Sequence, residues 1–360
     1  MKTVYIIICS LFFSCGNKKI SDIGLVEIPV DLSRNSITTS FDELSENIAS
    51  IELELTDKSM INSNQPTHVL MRDNQVIVYN SDEIFLFGID GKFICTIGAK
   101  GQGPQEYISI SNIVIDKNND ILYVNGASNI ICYDLDKKKY LRRTAFFREN
   151  NIIIYGMSFN NDELFIIGDK REYKEKGVYQ NLMIFRLNDE LQLIDSCTFR
   201  RVFLERNEFV TNGLYDNFFN EVNSKIYFYY HERFKKQLLD TLYRFENNQL
   251  IPDMKLNITK NYEEFRLNHV YRSSRYVFVC YNWHKKNSVY CYDLETGRMY
   301  NDLTFKLKKD IIENNDGDYL VNTMRPVINN PEFLYCLHTN INSDDLEEPN
   351  PTLYLIKLKK

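Results

Sequence analysis

The chain has 360 residues, 44% apolar and 26% charged, an ordinary globular balance that excludes any need for disulfide or metal staples to hold a core. Its net charge of −6 excludes a general nucleic-acid binder, which needs a basic face to neutralise phosphates. With 24 Tyr and 23 Phe against 14 Gly, the composition suits pleated, half-buried strands.

Residues 1–14 read as a lipoprotein signal peptide. Lys2 supplies a positive start, and residues 4–13 (VYIIICSLFF) form an apolar run too short to span a bilayer and suited to a signal-peptide core. The run ends in Leu11-Phe12-Phe13-Ser14-Cys15-Gly16, which resembles a bacterial lipobox, with Phe12 where Leu is usual. Cys15 is the expected lipidation site and new N-terminus. Residues 15–47 read as a polar tether and irregular lead-in, with one helical turn at Ser40-Phe41-Asp42-Glu43-Leu44. No other stretch is apolar and long enough to cross a membrane, so membrane contact is expected through the N-terminal lipid alone.

Residues 48–360 read as one repeating unit. A short apolar strand, a polar turn and a second strand recur at 84–97, 130–145, 182–197, 241–256 and 288–303. The turns are spaced by roughly 46 to 58 residues, in the range of propeller blades. Each copy is preceded by two more short runs, the earlier at 68–71, 113–115, 153–157, 215–219 and 269–272, and the later at 75–79, 121–125, 163–167, 225–230 and 276–281. That makes four antiparallel strands per unit. A sixth unit (326–328, 333–338, 353–358) lacks its fourth strand, while residues 48–55 (IASIELEL) form an orphan strand ahead of the first. Placed at the rim of the sixth unit, the orphan closes the ring and removes exposed edges. The expected fold is all-β: a single six-bladed β-propeller of four-stranded antiparallel blades, closed by an N-terminal strand and monomeric.

The stretch Phe87-Gly88-Ile89-Asp90-Gly91-Lys92-Phe93 followed by Gly101-Gln102-Gly103-Pro104-Gln105-Glu106-Tyr107 resembles the signature of the six-bladed β-propeller lipoproteins of Bacteroidetes, and more loosely NHL and TolB-type propellers. Asn314-Asn315-Asp316-Gly317-Asp318 with Met324-Arg325-Pro326 resembles a second element of that family, and the layout agrees over roughly residues 25–360. The resemblance implies the fold, export and an outer-membrane address. Lys18 and Lys19, in place of an acidic cluster after Cys15, point to its periplasmic side.

Chemical motifs are sparse. Gly98–Gly103 precedes no helix, and Pro104 removes a donor that a phosphate cradle needs, so this loop reads as a crossover between blades with Glu106 accepting from its own amides. Six cysteines (95, 132, 197, 280, 291, 336) lie in strand-like runs without a CxxC and read as small buried hydrophobes, with Cys280 and Cys291 one pair placed to oppose each other across a hairpin. His68 and His269 begin inner strands and are candidates for the central channel, but no HxH or HxxxH spacing is present, so neither a metal nor a cofactor is expected. No GxSxG elbow occurs and no catalytic residue is named. Trp283, at a hairpin tip with His284, and the insertions 170–180 and 340–351 are candidates for partner contact. The expected function is an envelope interaction module for a protein or other envelope ligand. The alternative is a hydrolase or lyase acting on a glycan or peptide at the channel mouth, through His68, His269 and loop carboxylates.

Overall fold

The computed structural model describes residues 25–30, 41–62, 65–205, 219–230, 240–246, 249–258, 265–283, 286–301, 303, 324–339 and 349–360. Two strands, β1 (Val26–Val30) and β2 (Ser45–Glu52), precede the first blade. Blade 1 comprises β3 (His68–Arg72), β4 (Gln75–Tyr79), β5 (Ile84–Gly88) and β6 (Phe93–Thr96); blade 2, β7 (Ile110–Asp116), β8 (Ile121–Gly126), β9 (Ile130–Asp134) and β10 (Lys139–Thr144). Blade 3 comprises β11 (Ile152–Asn160), β12 (Glu163–Lys174), β13 (Gly177–Leu187) and β14 (Leu193–Glu205); blade 4, β15 (Phe219–Val222), β16 (Lys225–Phe228), β17 (Thr241–Glu246) and β18 (Gln249–Ile258). Blade 5 comprises β19 (Phe265–Arg272), β20 (Tyr276–Trp283), β21 (Lys286–Asp293) and β22 (Met299–Tyr300); blade 6, β23 (Arg325–Val327), β24 (Asn330–His338) and β25 (Thr352–Leu358).

Each blade is an antiparallel meander from channel to rim, and β2 supplies the rim strand of blade 6 with Ile48 opposite Ile356 and Ile51 opposite Leu353. The ring is therefore closed by non-covalent pairing of the two ends of the chain, as the orphan strand implied. Both faces of a blade are covered by neighbours, so the middle strands read as continuous apolar runs rather than alternating ones. In β5, Ile84, Phe85, Leu86 and Phe87 are all buried. The core is accordingly divided into six clusters, one per junction between blades.

Polar side chains tie these junctions near the first hairpin of each blade. Arg72 of blade 1 donates to Asp120 of blade 2 at 2.6 Å and also to Asp136. Asn112 accepts from the Met157 amide, Asn160 donates to the Ser224 carbonyl and Asn220 accepts from the Arg272 amide, at 3.1, 3.0 and 2.7 Å. Ser274 donates twice to Glu332, and Asn329 bonds both the amide and the carbonyl of Met71. Buried amides and carboxylates satisfied in this way fix the angle between blades as well as their contact.

The turns follow from residue chemistry. Asn161-Asp162 and Asn223-Ser224 hold positive φ at both positions, the geometry that matches the twist of two-residue hairpins. In the crossover loop Glu106 accepts from the Gly103 amide at 2.8 Å, and a Cβ at Gly101 would lie 1.9 Å from that carboxylate. The loop is a structural crossover, as its sequence suggested.

Asp293 closes the outer hairpin of blade 5. It accepts from the Glu295 and Thr296 amides at 2.9 and 3.2 Å, and Arg275 donates to it at 2.8 Å. Burial works against its charge, but the Arg275 hydrogen bonds and the turn amides outweigh burial and hold the carboxyl at about 2. The folded value lies below the ordinary 3.8, so the stability it confers is present above that pH and is lost as pH falls toward 2. Asp293→Asn is expected to flatten the acid limb of the stability–pH curve by about 2 kcal/mol. Urea titrations along that limb check this, and an unchanged slope in the variant would refute the linkage.

The expected helical turn is present as a 3-10 turn, Phe41–Glu43, and Phe41 and Leu44 wedge into the core between blades 5 and 6. Three features differ from the sequence reading. The lead-in contains β1, which adds in parallel to β18 at the rim of blade 4 with Ile28 opposite Leu256; Ile28 and Val30 are buried there. The inner strand of blade 4 runs on to Val222, past the expected end at Phe219, because the tight Asn223-Ser224 turn permits pairing up to Val222; residues 215–218 lie outside the described residues. Cys280 and Cys291 are not opposed: Cys280 faces Val289 and Cys291 faces Phe278, a register offset of two that leaves both thiols free.

Candidate functional site

The insertion at 170–180 is not a loop. Residues Lys170–Lys174 pair with Gly177–Asn181, and these pair in turn with Arg201–Glu205. Blade 3 thus extends into a three-stranded ribbon. The sequence KREYKEKGVYQ carries no apolar alternation, so its pairing rather than a local pattern makes it strand. One face of the ribbon carries Glu172, Tyr179 and Phe203 on a single cross-strand row. The Tyr179 and Phe203 ring centroids are 5.0 Å apart, the Arg201 guanidinium lies 4.4 Å from the Tyr179 ring, and Arg201 pairs with Glu172 at 3.1 Å. Phe203 and Arg201 are exposed.

The other face is anchored by a buried carboxylate. Asp169 is fully buried, and its Oδ2 accepts from the Tyr155 hydroxyl at 3.0 Å, Arg171 Nε at 2.9 Å and Gln180 Nε2 at 3.0 Å. Tyr155 sits at a bulge in β11, between Ile154 and Gly156, which aims its ring at Asp169. Burial, then the Asp169 charge, pushes the Tyr155 hydroxyl well above its ordinary pKa, so it stays a donor. Nothing in the sequence marked Tyr155 or Asp169, since a bulge is a property of the pairing.

At the channel mouth formed by the first hairpins lies a cleft of about 320 Å³ lined by Lys117, Ser158, Asn160, Glu221 and Asn329 among others. Lys117 Nζ reaches across to the Asn329 carbonyl at 2.9 Å. Burial raises the Glu221 carboxyl, with Lys117 opposing. A groove of about 570 Å³ continues outward between blades 3 and 4, past Arg186 and Arg244, each held by carboxylates.

The candidate histidines stand elsewhere in the channel wall. His68 opens β3, stacks on Tyr79 with centroids 5.0 Å apart, and has Arg325 Nη1 3.5 Å from its Nδ1. His269 lies within β19 opposite Cys280 and stacks on Tyr271 at 5.8 Å. Described contacts do not join the two rings. Burial pushes the Cys280 thiol up to about 12, with the Arg325 charge opposing. Trp283 is the last residue of β20, paired with Lys286, while His284 and Cys15 lie outside the described residues, as do 340–348 of the second insertion. Among the described residues no three His, Cys, Asp or Glu side chains converge as a metal site.

A family model described as a domain of unknown function, DUF4934, matches residues 25–357. The chain belongs to that family. No curated protein matches this DUF4934 chain. Its structure is similar to the crystal structure of a candidate exported protein from Bacteroides fragilis, with a TM-score of 0.63 and 16% identity over 93% of this chain and 100% of that one. A likeness of that identity bears on the fold alone. The extracellular domain of a candidate one-component system from Bacteroides thetaiotaomicron matches with a TM-score of 0.40 and 14% identity, over 71% of this DUF4934 chain and 29% of that one, and carries no argument.

Proposed function

We propose that this DUF4934 protein is an exported, lipid-anchored binding module that holds a protein partner on the blade 3 ribbon. The observation that carries this reading is the cluster of Tyr179 and Phe203 with the Arg201 guanidinium over the Tyr179 ring. Aromatic and arginine side chains supply most interface energy, and here they stand on a paired sheet that loses little entropy on binding. The apolar run 4–13 and Cys15 support export and lipid anchoring on the periplasmic side of the outer membrane. Only ten residues lie between Cys15 and Val26, so full extension of the tether holds the blade 4 rim within about 40 Å of the membrane.

Isolation of the intact protein from its native envelope tests this. A stoichiometric partner protein is expected to co-purify, and the double variant Tyr179→Ala with Phe203→Ala is expected to weaken it at least thirtyfold, about 2 kcal/mol. Cys15→Ala is expected to abolish palmitate labelling and release the protein from the membrane fraction. Undiminished capture by the double variant would remove the ribbon from the interface. A glycan or peptide turned over by the purified protein would replace the module with the hydrolase or lyase reading.

A further inference from the structure

Arg325 differs from the other arginines with described side chains on the inner strands. Arg72 is neutralised by Asp120 and Asp136, and Arg272 by Asp253 at 3.0 Å. Arg325 pairs with no carboxylate among the described residues and is exposed. As the first residue of β23, it stands at the channel end opposite the first hairpins. Its neighbours are the buried His68 at 3.5 Å and Tyr335, its cross-strand partner, whose hydroxyl donates to the Thr67 carbonyl at 3.4 Å.

His68 and His269 occupy corresponding rungs. His68 stands four residues before Arg72, which closes the first hairpin of blade 1 against Gln75; His269 stands four residues before Ser273, which bonds Tyr276 in blade 5. Blade 6 lies between those two blades, so Arg325 stands on the strand between the two histidine-bearing strands. A guanidinium without a counter-ion among the described residues, set between low-dielectric walls, concentrates small anions. Its planar fork matches the two oxygens of a carboxylate, and a chain of net charge −6 repels multiply charged anions such as phosphate more than monoanions.

We infer that the channel entrance between blades 5, 6 and 1 binds the carboxylate of a small ligand through the Arg325 guanidinium, with His68 beside it. The site is separate from the blade 3 ribbon, so either can fail without the other.

Calorimetric titration of the purified protein with glucuronate and with N-acetylglycylglycine, at fixed ionic strength in chloride, tests it. Saturable binding of at least one probe is expected, and the one that binds identifies an acidic sugar or a peptide C-terminus as the source of the carboxylate. Arg325→Gln is expected to raise Kd at least tenfold. Arg325→Lys keeps the charge without the fork and is expected to fall between. Arg298→Gln removes an exposed charge from the outer hairpin of blade 5 and is expected to leave Kd unchanged. The inference is overturned if neither probe binds, if Arg325→Gln binds as the parent does, or if Arg298→Gln weakens binding as much.

Discussion

Removal of residues 1–53 is expected to abolish cooperative unfolding of the whole ring. The segment contributes β1, β2 and six buried apolar side chains, Ile28, Val30, Phe41, Leu44, Ile51 and Leu53. At about 1.5–3 kcal/mol for each buried side chain, their loss amounts to roughly 9–18 kcal/mol, at least comparable with the entire stability of a domain. It also leaves β25 as an open edge, with Leu353, Leu355 and Ile356 losing their cover. Calorimetry should find a single sharp transition in the parent and a broad or absent one in the truncated chain. Single substitutions grade the effect: Phe41→Ala is expected to cost about 3–5 kcal/mol and Leu44→Ala about 2–5 kcal/mol. Co-expression of residues 25–55 as a separate segment is expected to restore the transition, because both β1 and β2 join the ring by non-covalent pairing. A truncated chain that melts as sharply and as high as the parent would show that the ring does not depend on this strand.

Asp169→Ala is expected to be the most damaging single substitution in blade 3. It leaves the Arg171 charge, the Tyr155 hydroxyl and the Gln180 amide without their common acceptor. Removing one partner of a buried pair costs about 3–5 kcal/mol, much of it from the charge left behind. Asp169→Asn keeps an acceptor oxygen and the volume, and should cost about 1–3 kcal/mol. Urea denaturation measures both. Because the carboxylate ties β11 to the base of the ribbon, Asp169→Ala is also expected to loosen residues 170–181, seen as faster amide exchange there than in blades 1 and 2. A loss below about 0.5 kcal/mol would place Asp169 among ordinary surface substitutions.

The candidate site was legible only in part. His68 and His269 are both expected from the sequence to begin inner strands; His68 does, whereas His269 is the fifth residue of β19, because that strand pairs back to Phe265, and the two still share a rung. Arg325 lies in the stretch Met324-Arg325-Pro326, yet nothing in that stretch shows that its neighbours among the described residues include no carboxylate; that depends on which strands the ring brings alongside. The 170–180 insertion is a run of charged residues with no apolar alternation, so only its pairing with residues 201–205 reveals the ribbon.

The amino-acid sequence by itself determined the six repeats, the order of strands within each blade and the closing strand. Those follow from short-range physics: apolar runs of strand length, Asx and Gly turns that accept positive φ, and a missing fourth strand matched by an orphan. Only the tertiary structure decided the register offset that parts Cys280 from Cys291, the parallel docking of Val26–Val30 on blade 4, the bulge that turns Tyr155 toward Asp169, and the placing of Arg325 beside His68. Each depends on partners far apart in the chain, where a shift of one or two residues in pairing changes which side chains meet while leaving local propensity untouched.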